Sequence, residues 1–182
     1  MPVYVALLRG INLGGHKKIK MDELRASLAA MGFAEVKTYI QSGNVVFKAA
    51  KISDKALSRK IEASILSNFG HSVSVIIRTA EEIQHVISNN PFLKEPDVDP
   101  TKLHVMFLSE LPAQSAVKQL QTLILKPDQF RSLNKELYFY LPNGVAESAV
   151  MKKPIDRVLA IPTTMRNWKT VNTVRQMCTD WR

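Results

Sequence analysis

The sequence predicts an α+β protein of two β-α-β-β-α-β units, with mainly antiparallel sheets and helices packed on one face. Three observations carry this reading: short apolar runs alternate with segments of helical spacing, the same element order occurs twice, and a proline-rich acidic stretch separates the two occurrences.

In the first unit, residues 3–8 (Val-Tyr-Val-Ala-Leu-Leu) form a buried strand, and Met21, Leu24, Leu28 and Met31 mark a helix that Gly32 ends. Strands at 35–40 and 44–48 flank Gln41-Ser42-Gly43, a tight hairpin in which glycine supplies a positive φ. A helix from about Ser53 places Leu57, Ile61, Ile65 and Phe69 on one face, and residues 73–78 close the unit as a fourth strand. Thr79 and Glu82 stand at capping-box spacing for a short helix that Asn89-Asn90-Pro91 stops.

The second unit begins with a strand at 102–108 and a helix from about Pro112, followed by strands at 129–133 and 136–141. Pro142-Asn143-Gly144 is a turn, a helix is expected around 147–159, residues 163–166 are extended, and a last helix starts near Thr170. This is the order of a ferredoxin-like unit, met twice. The expected division is a half at 1–90 carrying a Gly-rich polar loop, a linker at 91–101 and a second half at 102–182 with a C-terminal helix. The duplication rests on element order, because the sequence alone aligns no residues between the halves.

Over 182 residues, 46% apolar and 23% charged usage is that of a globular chain, and no apolar run reaches the roughly 20 residues that cross a bilayer. Met1-Pro2-Val3-Tyr4 enters a strand directly, which is not the pattern of a leader, and Cys178 has no second cysteine to pair with. A cytoplasmic, reducing location is the expectation. His16, His71, His85 and His104 show no ligand spacing, so neither a metal nor a cofactor is expected. The net charge of +9 suits phosphate-bearing partners and equally a merely basic soluble protein.

Three polar segments stand out. In Arg9-Gly10-Ile11-Asn12-Leu13-Gly14-Gly15, the glycines free backbone N–H groups to meet an anion, and four basic residues with no acid lie between Arg9 and Lys20. The segment matches neither the dinucleotide nor the P-loop fingerprint, and a long turn accounts for it as well. Thr38, Gln41, Ser42 and Asn44 form the second group. In a β-α-β-β unit the second strand runs parallel to the first, so this hairpin shares a sheet end with the 9–15 loop. The third segment, Thr163 to Thr170, holds Arg166, able to grip a carboxylate or phosphate in two-pronged fashion, beside Asn167 or Thr170 as a helix cap and Trp168 as core.

These motifs resemble the DUF1697 family: Val5 to Gly15, Met21-x-x-Leu24, Thr38 to Phe47, and Thr164-x-Arg166-Asn167-Trp168-x-Thr170. The resemblance spans nearly the whole chain, with Lys152 to Pro162 its most divergent stretch. It implies a mostly bacterial protein with a two-part α+β fold, and it carries no activity, cofactor or catalytic residue.

The functional reading is a site for a small anionic or phosphate-bearing metabolite built from Arg9, Asn12, Gly14, Gly15, Gln41, Ser42 and Asn44, with Arg166 a further candidate. Two alternatives stand beside it. One is nucleic-acid binding on the sheet face, where Tyr4 takes the base-stacking place of an RNA-recognition strand although residues 40–47 lack the companion aromatics. The other is an interaction module, with Tyr138 and Tyr140 marking a seam. No nucleophile presents itself, no membrane partner is expected, and enzymatic activity and oligomeric state stay open.

Overall fold

The computed structural model describes residues 1–180, so the last two residues of the expected second half lie outside it. The chain divides into two compact units: Met1–His85 with the segment from Asn172 onward, and Val86–Val171. The first contains β1 (Val3–Leu8), α1 (Met21–Ala30), β2 (Ala34–Tyr39), β3 (Asn44–Lys48), α2 (Asp54–Phe69) and β4 (Val75–Thr79). Its sheet runs β2-β3-β1-β4 with every neighbouring pair antiparallel. Tyr4, Ala6, Leu8, Val45, Phe47, Val75 and Ile77 cluster with Leu24 and Leu28 of α1 and Leu57, Ile61 and Ile65 of α2. Those helical positions recur every three or four residues, which puts each set on one face. Ser53 begins α2 by accepting the Ala56 N–H, and Gly70 ends it at φ 71°. The opposite sheet face is dry too: Val5, Leu7, Val46, Ile76 and Arg78 are all buried.

α3 (Ala80–Ser88) follows β4 through a reciprocal cap. Thr79 N–H donates to Glu82 Oε2 at 2.8 Å, and Glu82 N–H donates to Thr79 Oγ1 at 3.1 Å.

The second unit contains β5 (Leu103–Leu108), α4 (Gln114–Leu123), β6 (Gln129–Leu133), β7 (Glu136–Tyr140), α5 (Ile155–Leu159) and β8 (Thr163–Asn167). Its sheet runs β6-β7-β5-β8, again antiparallel throughout. Met106, Leu108, Leu137 and Phe139 cluster with Leu120 of α4 and with Ile155 and Leu159 of α5. The last helix, α6 (Trp168–Thr179), starts two residues before the expected Thr170, and Asn167 Oδ1 accepts the Thr170 N–H at 2.8 Å.

Two expectations change in detail. The helix expected over 147–159 is a 3-10 turn at Ala149–Lys152 followed by α5, because Pro154 lacks the N–H a continuous helix needs. The stretch at 91–101 is likewise more ordered than a plain linker. It holds 3-10 turns at Pro91–Lys94 and Pro100–Lys102, begun by the side chains of Asn90 and Asp99.

The strand registers of the two sheets correspond. Val5 stands opposite Val46 and Arg78; Val105 stands opposite Tyr138 and Arg166. Leu8 N–H donates to Gly43 O at 2.8 Å, and Leu108 N–H donates to Lys135 O at 2.9 Å. Arg9 N–H and Ser109 N–H make the matching bonds to Ser74 O and Pro162 O, both at 3.0 Å. Residue-level identity, which the sequence alone did not reveal, is thus present at Val5/Val105, Leu8/Leu108, Phe47/Phe139 and Arg78/Arg166. The sheets differ in their connections: residues 9–20 join β1 to α1 where only 109–113 join β5 to α4, and residues 40–43 join β2 to β3 where only 134–135 join β6 to β7.

Candidate functional site

The longer connections of the first unit meet at one end of its sheet. Arg9 N–H bonds Ser74 O, which brings the segment before β4 beside the start of the 9–20 loop, and Leu8 N–H bonds Gly43 O of the hairpin. Gly43 has φ 80°, and a Cβ there would stand 2.6 Å from Leu8 Cβ and 2.9 Å from Ile11 Cδ1. Only glycine lets the hairpin backbone lie this close over the buried Ile11.

Asn12 holds the arrangement together. Its backbone sits at φ 54°, a conformation asparagine tolerates better than most residues. Its Nδ2 donates to Gln41 O at 2.7 Å and Ile19 O at 3.0 Å, while its Oδ1 accepts the Ile19 N–H at 2.9 Å. One side chain therefore ties both ends of the loop to the hairpin. Asn44, fully buried, plays a similar part within the hairpin, donating to Tyr39 O at 3.1 Å and Ser42 Oγ at 2.9 Å. Thr38 Oγ1 accepts from Arg25 Nη1 at 2.6 Å. The amides of Asn12 and Asn44 are thus spent on holding the loop and hairpin in place.

What the loop presents to solvent is different in kind. Gly14, Gly15, His16, Lys17, Lys18, Lys20 and Gln41 are exposed, with Arg9 and Ser42 half-buried beside them. Lys17 Nζ donates to Ser72 O at 2.7 Å, and His71 Nε2 lies 3.3 Å from Lys18 O, so the segment before β4 braces the loop from its other side. Lys20 pairs with Glu23 at 3.4 Å. The result is an ordered cationic rim in which residues 9–20 contribute no acid.

Arg166 belongs to the second unit. It lies in mid-strand on β8, 8% exposed, and its Nη1 donates to Thr164 Oγ1 at 2.7 Å and Met165 O at 2.9 Å. Burial lowers its guanidinium to about 10, which leaves it charged at neutral pH. Sequence reasoning passed over its register counterpart Arg78, 1% exposed, whose Nη1 donates to Ile77 O at 2.8 Å. It also passed over Leu13 and Ile40, 62% and 51% exposed at the loop and hairpin tips; an unusual φ was the sign at Ile40, and no sequence rule reports that.

The stacking place assigned to Tyr4 is corrected. Its ring is 3% exposed, lies in the helix-side core 6.1 Å from the Phe47 ring, and its hydroxyl bonds Ile52 at 3.2 Å. The cause is strand parity: residues 4, 6 and 8 face the helices, and residues 5 and 7 the other way. Burial raises the Cys178 thiol to about 12. Among the described residues, no three His, Cys, Asp or Glu side chains gather as metal ligands, and no helix is long and apolar enough to cross a membrane.

The chain belongs to the DUF1697 family, described as a protein of unknown function, whose profile matches residues 1–138. It is similar to a solved structure, the conserved bacterial protein SP0830 from Streptococcus pneumoniae. That likeness has 26% identity and a TM-score of 0.78, covering 97% of this chain and 98% of the other. No curated protein matches the chain.

Proposed function

We propose that the chain is a pair of ferredoxin-like repeats, 1–90 and 102–182, of which the first has been fitted to bind a small anionic or phosphate-bearing metabolite at the 9–15 loop and the 41–44 hairpin. The matching registers and the sheet orders β2-β3-β1-β4 and β6-β7-β5-β8 support the repeat reading. One observation carries the binding reading. The first unit spends residues 9–20 and 40–43 where the second makes the same connections with 109–113 and 134–135, and the extra length is an Asn12-braced rim of cations. Exposed backbone at Gly14 and Gly15, the amide of Gln41 and the charges of Arg9, Lys17 and Lys18 are the groups that would meet an anion. Arg166 stays outside this proposal, since its guanidinium is engaged on its own strand. Nucleic acid is the weaker reading, because the one aromatic offered for stacking lies under helices.

A thermal-shift titration with pyrophosphate, sugar phosphates and nucleotides tests this, run beside Arg9→Ala and Lys18→Ala. A ligand of the native state raises the melting temperature by mass action, and both variants are expected to blunt the rise. Melting that ignores every phosphate compound at millimolar concentration overturns the proposal.

A further inference from the structure

We infer that the ligand of this loop end is amphiphilic, a phosphate or carboxylate carried on an apolar or aromatic body, with Leu13 and Ile40 receiving the apolar part. The inference rests on the anion-binding reading above and narrows it to a substrate class.

Leu13 follows Asn12, and Ile40 precedes Gln41. The 2.7 Å bond between Asn12 Nδ2 and Gln41 O therefore sets these two residues on either side of one fixed point. Leu13 is 62% exposed and Ile40 51%, so neither contributes its apolar surface to the core. Ile40 is also held at φ 49°, a left-handed conformation in which a β-branched side chain crowds its own backbone. The position favours glycine on both counts, strain and solvation. An isoleucine there adds one thing a glycine cannot, an apolar surface one residue from the Gln41 carbonyl that Asn12 holds. Strained residues of this sort cluster at ligand-binding and other functional sites. The charged residues of the loop, of the segment before β4 and of α1's first turns are Arg9, His16, Lys17, Lys18, Lys20, His71 and Arg25, with Asp22 and Glu23 engaged by Arg25 and Lys20. A bare anion would use the cations and leave both apolar tips wet. An amphiphilic anion would cover both.

The experiment compares inorganic phosphate with phenyl phosphate by calorimetric titration, and phosphatidylglycerol with phosphatidylcholine vesicles by co-sedimentation, for the native chain, Ile40→Gly and Leu13→Ser. Phenyl phosphate is expected to bind about tenfold more tightly than inorganic phosphate, the worth of one apolar contact. Ile40→Gly is expected to melt roughly 2–4 °C higher through release of strain, yet to lose that preference with its phosphate affinity unchanged. A rise in stability with a fall in binding cannot come from misfolding. Preference for monomeric phenyl phosphate assigns a soluble metabolite; preference appearing only with phosphatidylglycerol vesicles, and lost in Ile40→Gly, assigns the same chemistry to a lipid headgroup. Equal affinity for the two phosphates with no vesicle binding overturns the amphiphile and leaves the anion site standing. No binding of any probe overturns both.

Discussion

Arg78 and Arg166 occupy the same register position in two different sheets, opposite Val5 and Val105, and each turns a guanidinium N–H onto the carbonyl of the residue before it. Both strands lie at a sheet edge, so that carbonyl points away from the partner strand and has no ladder bond. Burying an arginine is costly, and the bond to a backbone acceptor, buried at Ile77 and partly buried at Met165, offsets part of that cost.

Replacing either arginine with methionine keeps the bulk and removes the donor. Arg78→Met and Arg166→Met are each expected to lower the unfolding free energy by about 2 kcal/mol, measured by urea denaturation. Lysine should not restore it, since an ammonium is more strongly hydrated than a guanidinium and costs more to bury at these positions. Unchanged midpoints in both variants would remove the capping role.

At Gly43 even one methyl group is too much. With φ 80° and Leu8 and Ile11 inside contact distance, Gly43→Ala combines left-handed strain with overpacking, and about 2–4 kcal/mol of destabilisation is expected. Gly144→Ala is the control. It shares the positive φ, at 82°, but meets nothing within 4 Å, so its loss should stay near the strain cost alone.

For Asn12, substitution separates conformation from hydrogen bonding. Asn12→Gly keeps the φ of 54° accessible and deletes three bonds, whereas Asn12→Ala loses both. Hydrogen exchange at the Ile19 amide should rise in each, and more than tenfold, with the alanine variant the less stable by about 1 kcal/mol. Protection that persists in Asn12→Gly would show that the loop orders itself without the amide.

Cys178 should behave as an inert thiol in the folded protein. With its value raised from 9.0 to about 12, the thiolate population at pH 8 falls roughly a thousandfold below that of an unfolded chain, and alkylation by iodoacetamide slows accordingly. The folded value stands above the unfolded one, so this group's contribution to stability is complete below pH 9 and is lost as pH rises from 9 toward 12. Cys178→Ala should flatten that alkaline decline. Rapid alkylation under native conditions would contradict the burial.

Much of the fold was legible because its signals are local. The spacing of Leu57, Ile61 and Ile65, the Thr79–Glu82 pair and the glycine of the 40–43 hairpin each dictate a conformation within a few residues. The shared sheet end of the loop and hairpin followed from strand direction, before any coordinate. Strand parity was not legible: when residues 4–8 are all buried, alternation disappears and nothing in Tyr-Val-Ala-Leu-Leu says which residues meet the helices. That is why Tyr4 was assigned to the wrong face. The matching register of Arg78 and Arg166 was hidden for a related reason, since register is a property of two strands and a sequence shows one at a time. The work of Asn12 was hidden as well, because its partner Gln41 is remote in sequence and is bonded through a carbonyl that every residue has.

The outward backbone of β4 is occupied at successive positions: Val75 N–H by Glu62, Val75 O by Ser58, Ile77 O by Arg78 and Thr79 N–H by Glu82. A foreign strand seeking to lengthen the sheet there would first have to displace four side chains, three of them charged. In a crowded cell, or in a concentrated sample warmed toward melting, fibril-like growth along this margin meets these side chains first while the unit stays folded.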